Sequence, residues 1–374
     1  MEICLTMFDE PYNDARIHKE TSTLVGMGYS VRIVSVEYDR AERRGCPGAR
    51  VDAIYVGRKR SGKLRFLRFY LRAFSRAVRA KAEVYHAQDL YSLPVAYVAA
   101  RRHGAALIYD SHEYYLGMDS LIGRRLERSV WAFVERVFIG KADRVITVGD
   151  AIAETLRARY NIRRPVVVRN CPVFRRSQRS DALREWLGIP KTVGIVLYQG
   201  VIDPGRGLLT ILESLKRVEG CYLVMLGDGH ILDELKEHAR RLGLSDRTFF
   251  PGSVSLRDLM RYTASADVGI HLIENTCLNH YYCLPNKLFE YMMAGLPVVM
   301  SDFPEIGKVV REAQAGLLVD PADPVQVAKA IERLLKDEGL RRTFSEHGLR
   351  AAKEKYNWER ESLKLERVYR ELRI

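Results

Sequence analysis

Short apolar runs of strand length alternate with helix-period segments along this chain, and the alternation starts twice. The first series runs through 2–8, 31–36, 51–56, 84–87, 106–110 and 144–148 and closes at 166–172. The second takes in 192–198, 222–226, 248–250, 268–272 and 297–300. Helical segments are expected at 17–27, where Gly28 provides the stop, and at 208–218, 231–242, 256–264, 286–294, 325–336, 340–355 and 358–372. Parallel strands buried on both faces read as continuous apolar runs and need helical crossovers. The pattern therefore predicts an α/β chain of two Rossmann-like, doubly wound domains facing across a cleft, with ligands at the carboxyl ends of the strands. The polar, basic stretch 173–182 reads as the linker between them. A length of 374 residues agrees with two domains.

Charge narrows the partners. Net charge is +13, but residues 1–180 carry 33 basic and 19 acidic side chains, so the whole excess lies in the first half. The stretch 58–81 holds ten basic residues and no acidic one, beginning with Arg58, Lys59, Arg60 and Lys63. Within it Leu64, Leu67, Leu71, Phe74 and Val78 step at helical spacing, and Arg65, Arg68, Arg72, Arg76 and Arg79 line another face. Two readings stand: a core-packed helix with a basic outer face, or a helix whose arginines meet anionic lipid headgroups. Nucleic acid has only the charge in its favour, since no zinc-finger spacing, RNA-recognition aromatic motif or clear helix-turn-helix is present. No apolar run approaches the ~18 residues of a transmembrane helix, and Met1–Phe8 has no signal-peptide pattern. The expected location is the cytoplasm, with a peripheral position on the inner face of the cell membrane left open. The six cysteines contain no C-x-x-C pair and are expected to be reduced.

Two segments have the composition of a site. Tyr198–Gly207 (YQGVIDPGRG) ends a strand run and opens a helix. Its glycines admit close approach of a ligand, the helix offers free N–H groups to an anion, and Arg206 can grip a diphosphate. In Leu284–Val299, Lys287 sits in a helix's first turn with Glu290 three residues on. A cation there opposes the helix dipole unless an anion shares the site. A carboxylate such as Glu290 can accept from both ribose hydroxyls. Each also has a structural reading: a turn with a solvated arginine, and a surface ion pair.

These residues resemble the GT-B glycosyltransferases of glycosyltransferase family 4, over nearly the whole chain and most densely over 198–320. Gly200 and Arg206-Gly207 match the family's Gly-Arg-Leu-x-x-x-Lys-Gly segment, with Val201 in place of its arginine. Glu290, followed by Gly295-Leu296-Pro297-Val298, matches the second of two family glutamates, and Tyr282 replaces the first. Leu226–Gly229, Phe250–Ser253, Ala266-Asp267 and Ala315–Val319 fit too. Asp110-Ser111-His112-Glu113 matches Asp-x-His-Glu, and the Trp358…Tyr369 segment matches a helix that returns to the first domain. The resemblance implies an N-terminal acceptor-side domain over 1–176, a nucleotide-sugar domain over 177–355 and a returning helix over 356–374. It implies a retaining transferase moving a hexosyl or N-acetylhexosaminyl group from a UDP- or GDP-sugar to a glycan or lipid-linked acceptor in envelope polysaccharide or glycolipid synthesis. A nucleotide-sugar 2-epimerase of the same fold, or a basic nucleic-acid-binding or scaffold protein, are the alternatives.

By the same resemblance, His112, Arg206 and Glu290 are the expected catalytic residues. Gly200, Arg206, Gly207, Gly252, Ser253, Asn286, Lys287, Leu288 and Glu290 would hold the donor, and Glu274 or Asn286 would compensate for Tyr282. Asn13, Arg16, Asp110 and Glu113 are placed on the acceptor side. No Asp-x-Asp occurs, so no metal and no permanently bound cofactor is expected.

Overall fold

A computed structural model describes residues 1–38, 45–57 and 62–372. Arg58, Lys59, Arg60 and the Lys63 side chain lie outside the described residues. The chain divides into one unit of Met1–Asn170 with Glu361–Ile374 and a second of Cys171–Arg360.

The first unit contains β1 (Glu2–Thr6), α1 (Ala15–Gly26), β2 (Ser30–Glu37), β3 (Ala49–Tyr55), α2 (Gly62–Ala80), β4 (Val84–Ala87), α3 (Leu93–His103), β5 (Ala106–Ser111), α4 (Arg125–Phe138), β6 (Arg144–Thr147), α5 (Asp150–Tyr160) and β7 (Val166–Val167). Its seven strands are parallel in the order β3-β2-β1-β4-β5-β6-β7. The order reverses between β1 and β4, the place where such sheets open a crevice for ligands.

The second unit contains α6 (Ala182–Leu187), β8 (Gly194–Gln199), α7 (Leu208–Leu215), β9 (Cys221–Leu226), α8 (Leu232–Arg241), β10 (Thr248–Gly252), α9 (Leu256–Thr263), β11 (Val268–His271), α10 (Leu278–Tyr282), α11 (Asn286–Met293), β12 (Val298–Ser301), α12 (Pro304–Ala313), β13 (Gly316–Val319), α13 (Pro324–Lys336) and α14 (Glu338–Glu354). Its six parallel strands run β10-β9-β8-β11-β12-β13, reversing between β8 and β11. Along β8, Ile195 and Leu197 enter one core while Val196 and Tyr198 enter another, so the sheet is covered on both faces. The last helix, α15 (Trp358–Arg370), begins in the second unit, and from Glu361 its residues belong to the first. There Leu365, Val368 and Tyr369 are buried, and the Tyr369 hydroxyl meets His86 Nδ1 at 2.7 Å.

Two elements differ from their sequence reading. The stretch ahead of α6 has no regular structure, yet it is anchored: Arg179 reaches the carbonyl of Ala266 and the carboxylate of Asp267, and the Ser180 N–H donates to Ala264 O at 3.3 Å. In α2, the residues turned into the core are Phe69, Ala73, Ala77 and Ala80, while Leu64, Leu67 and Leu71 face solvent. The small alanines let the helix approach its neighbours closely. The leucine stripe is therefore not the core face. Arg76, from the basic row, is half-buried and donates to the Ala53 carbonyl. Arg65 sits over the Tyr38 ring at 5.4 Å.

Candidate active site

In the second unit the expected donor residues gather at the strand reversal between β8 and β11. The chain leaves β8 through Gly200, at φ 143°, and enters α7 through Gly207, at φ 61°. A side chain at Gly207 would place its Cβ 2.5 Å from Leu272 Cβ, and one at Gly200 would lie 3.4 Å from Lys287 Cε. Gly207 thus requires glycine for conformation and for space, and Gly200 for conformation. Glu274, after β11, clamps the loop: its carboxylate accepts from Gly207 N–H at 3.0 Å and its own N–H donates to Gly205 O at 3.0 Å. Glu274 is therefore engaged in holding the loop. Arg206 forms no ion pair among the described residues.

Lys287 and Glu290 lie on α11, whose first turn no side chain caps. Lys287 Nζ is 3.3 Å from Glu290 Oε2. The same carboxylate oxygen accepts from Gln199 Nε2 at 2.6 Å, and Gln199 Oε1 accepts from Thr263 Oγ1 at 2.7 Å. Glu290 is thus held by two donors while remaining partly exposed. A cavity of about 230 Å³ opens beside it, lined by Gln199, Gly200, Val201, Gly227, Ser253 and Lys287. Gly252, next to Ser253 of that lining, accepts from the Gly227 N–H at 3.0 Å. Asn286 starts α11 half-exposed. Leu288 is a different matter. Its side chain is fully buried in the core and its N–H donates to Pro285 O at 3.2 Å, so it supports the site from behind instead of touching a ligand.

His271, at the end of β11, escaped the sequence reading. It is 4% exposed, stacks on Tyr198 at 5.4 Å, and neither ring nitrogen has a hydrogen-bond partner. Burial first, then the positive charges of Arg206 and Lys287, push its pKa down to about 3, so the ring is neutral. An apolar strand run gives no sign that its last residue sits under a cationic loop.

In the first unit, Arg16 and Asp110 do not face outward as acceptor contacts. Arg16 is 2% exposed; Nη2 donates to Asp110 Oδ2 at 2.6 Å, Nη1 to Val168 O at 2.9 Å, and Nε lies 2.8 Å from Glu20 Oε1. Burial makes such pairing obligatory, because an unpaired charge there is prohibitively costly. Around Asp110 stand His112 Nε2 at 3.4 Å and His86 Nε2 at 3.9 Å. Burial pushes the Asp110 carboxyl up, but Arg16 and then His112 outweigh it and the net direction is down. For His112 burial pulls downward, the Asp110 charge pulls upward, and the net shift is upward. His112 keeps 19% of its side chain exposed and is the part of this network that can meet a ligand. Asn13 and Glu113 are exposed. Glu20, His86 and Asp110 also come close enough to hold a metal ion, but the Arg16 guanidinium already bonds two of the three, so they do not fit a cation.

Comparison with known proteins agrees with this architecture. Residues 15–172 match the glycosyl transferase 4-like domain family and residues 179–350 the glycosyl transferases group 1 family. The chain is similar to the lipopolysaccharide core biosynthesis glycosyltransferase LpsE of Rhizobium meliloti, at 31% identity over 44% of this chain and 46% of that protein. It is also similar to the phosphatidyl-myo-inositol mannosyltransferase of Mycobacterium leprae, at 30% identity over 49% and 48%. The chain thus spans about half the length of these two curated relatives. Among solved structures, Anabaena HepE in complex with UDP-glucose superposes with a TM-score of 0.78 over 100% of both chains, at 18% identity. With two family profiles covering 15–172 and 179–350 and GT-B folds among its structural neighbours, the chain belongs to the GT-B glycosyltransferases of family 4, group 1.

Proposed function

We propose that the protein transfers a sugar, with retention at the anomeric carbon, from a UDP- or GDP-sugar to a glycan or lipid-linked acceptor of an envelope glycan. The observation that carries the donor reading is Glu290, held by Gln199 and Lys287 beside an open cavity at the strand reversal. A carboxylate so placed can take both ribose hydroxyls, while Gly252 and Ser253 border the nucleobase. Arg206, Lys287 and the uncapped start of α11 then face the diphosphate. Glycosyl transfer passes through an oxocarbenium-like state. The bond from C1 to the β-phosphate oxygen breaks with its electron pair going to the diphosphate. The acceptor hydroxyl oxygen bonds C1, and its proton passes to the departing phosphate. Cations aimed at that growing charge lower the barrier. They do the work that a bridging metal does elsewhere, and the reaction is read as metal-independent. On the first unit, His112 is the group available to the transferred sugar, with Asn13 and Glu113 on the acceptor side.

Two relatives support a lipid-borne acceptor by their names, one for lipopolysaccharide core biosynthesis and one for a phosphatidyl-myo-inositol mannosyltransferase. HepE supports a UDP-sugar as donor. The test is release of UDP or GDP from a panel of nucleotide sugars, followed by proton NMR of the product's anomeric centre. Glu290→Ala and Arg206→Ala are each expected to abolish release with the melting temperature retained. Full turnover in both would reject the site, an inverted product would reject retention, and free epimerised sugar nucleotide would mark an epimerase.

A further inference from the structure

Buried charge in the first unit gathers around Arg16. Its Nη2 bonds Asp110, at the end of β5, and its Nε lies 2.8 Å from Glu20 Oε1, one turn further along α1. Arg16, Asp110 and Glu20 are all buried. The second oxygen of Glu20 accepts from Gln88 Nε2, after β4, at 2.9 Å. Burial raises the Glu20 pKa against the pull of Arg16. A donor stands at each of its oxygens, however, and that is the pattern of an ionised carboxylate. Two carboxylates thus face one guanidinium, and one negative charge is left unbalanced.

The neighbours decide which group answers that charge. On β4, His86 Nε2 is 3.9 Å from Asp110 Oδ2, but burial outweighs the Asp110 charge and pushes the pKa of His86 down to about 3. That ring is neutral, and its Nδ1 meets the Tyr369 hydroxyl of α15. Asp14 caps α1 on the N–H groups of Arg16 and Ile17, and Asp89 accepts from those of Phe8 and Ser92. Backbone donors answer both, and neither brings a cation. Glu113 is exposed. His112 remains, with Nε2 3.4 Å from Asp110 Oδ2. Burial pulls its pKa down, Asp110 pulls it up, Arg16 opposes, Glu20 adds to the rise, and the net direction is up. With His112 protonated, the set of Arg16, His112, Asp110 and Glu20 carries no net charge. With His112 neutral, one uncompensated charge stays buried, which is costly.

We propose that Glu20 is a positioning residue for His112: its buried charge, acting through the shared Arg16 and Asp110, keeps the His112 ring protonated, so that His112 faces the transferred sugar as a cationic hydrogen-bond donor. This rests on the reading of His112 as the sugar contact and adds the form in which the ring makes it. A protonated imidazole has two N–H donors, whereas a neutral one has a donor and an acceptor. One N–H faces Asp110, and the other is left for a sugar or phosphate oxygen. Glu20 itself touches no ligand, since it is 0% exposed.

The test is an NMR titration of the full chain labelled in its histidine rings, with the His112 signal identified by its loss in His112→Gln. Glu20→Gln removes the charge and keeps the shape. The Gln88 Oε1 has no partner, so that amide can turn over and accept from the new one. In the unmodified protein His112 is expected to titrate above the free value of about 6.5. Glu20→Gln should lower its midpoint by at least about half a pH unit at retained melting temperature. The alkaline limb of kcat/KM for UDP or GDP release should move down with it. A midpoint at or below the free value in the unmodified protein would overturn the proposal, even if the variant failed to fold. So would the same midpoint in both proteins, which is what a purely structural Glu20 would give. A midpoint that shifts while the kcat/KM profile stays in place would sustain the charge coupling and reject His112 as the sugar contact, so the two failures are told apart.

Discussion

Buried His271 and half-buried His112 have opposite electrostatics. His271 has no partner for either nitrogen and lies near two cations. Burying such groups unpaired costs about 1–3 kcal/mol, a cost that a ligand oxygen relieves. His271→Phe keeps the stack on Tyr198 and removes the unpaired nitrogens. It should leave the melting temperature equal or higher while weakening UDP or GDP binding about tenfold, measured by calorimetry; unchanged affinity would show that no ring nitrogen meets the ligand. His112 behaves the other way. Its pKa is raised by Asp110 in the folded state, so its stabilising contribution is complete below the unfolded value of about 6.5 and is lost as pH rises through the folded value. Thermal melts between pH 6 and 9 should show stability falling with pH in the unmodified protein and a flatter profile in His112→Gln. Identical profiles would mean that the Asp110 contact does not hold the proton.

At the scale of the element, the loop between β8 and α7 is where backbone and chemistry are least separable. Gly207→Ala would meet Leu272 at a positive φ, so a loss of roughly 1–3 kcal/mol is expected in urea unfolding, together with weaker donor binding because Arg206 is displaced. Gly220→Ala, at φ 68° with open space around its Cβ, is the control: it bears the conformational cost alone and should lose less stability and no binding. The glycines were legible in the sequence because they punctuate a strand-to-helix turn. Glu290 and Lys287 were legible because their spacing places them on one helix face. His271 and Gln199 were not, because each ends a strand run and gains its role only from what the neighbouring elements bring to it. The face of α2 was not legible for a related reason. Helical periodicity marks two apolar stripes there, and the one with larger residues looks like the core. The sheet is in fact met by Phe69 and three alanines. α12 was also overlooked, since Gly307 and a charged surface break its pattern.

At the scale of the molecule, the alternation of runs revealed both sheets except the edge strand β13, because parallel strands covered on two faces cannot hide their apolar content, whereas the short Gly316–Val319 is only partly covered. Each unit has its own core, so local damage should stay local. Ending the chain at Arg360 removes Leu365, Val368 and Tyr369 from the first unit and leaves His86 without its hydroxyl partner. Hydrogen exchange should then accelerate across β1, β4 and β5 and stay slow across β8 and β11. Uniform acceleration in both sheets would show that the units unfold as one.

The return of residues 361–374 to the first unit also sets a schedule for synthesis. Asn170 and Glu361 are separated by the 190 residues of the second unit. At about 5–20 residues per second, translation takes roughly 10–40 s to cover that distance. Through that interval the first unit is outside the ribosome with its last helix missing, the groove for Tyr369 uncovered and His86 without the Tyr369 hydroxyl. Its native state is thus decided after the second unit has been made, and the nascent chain spends those seconds as a client for whatever guards exposed apolar surface.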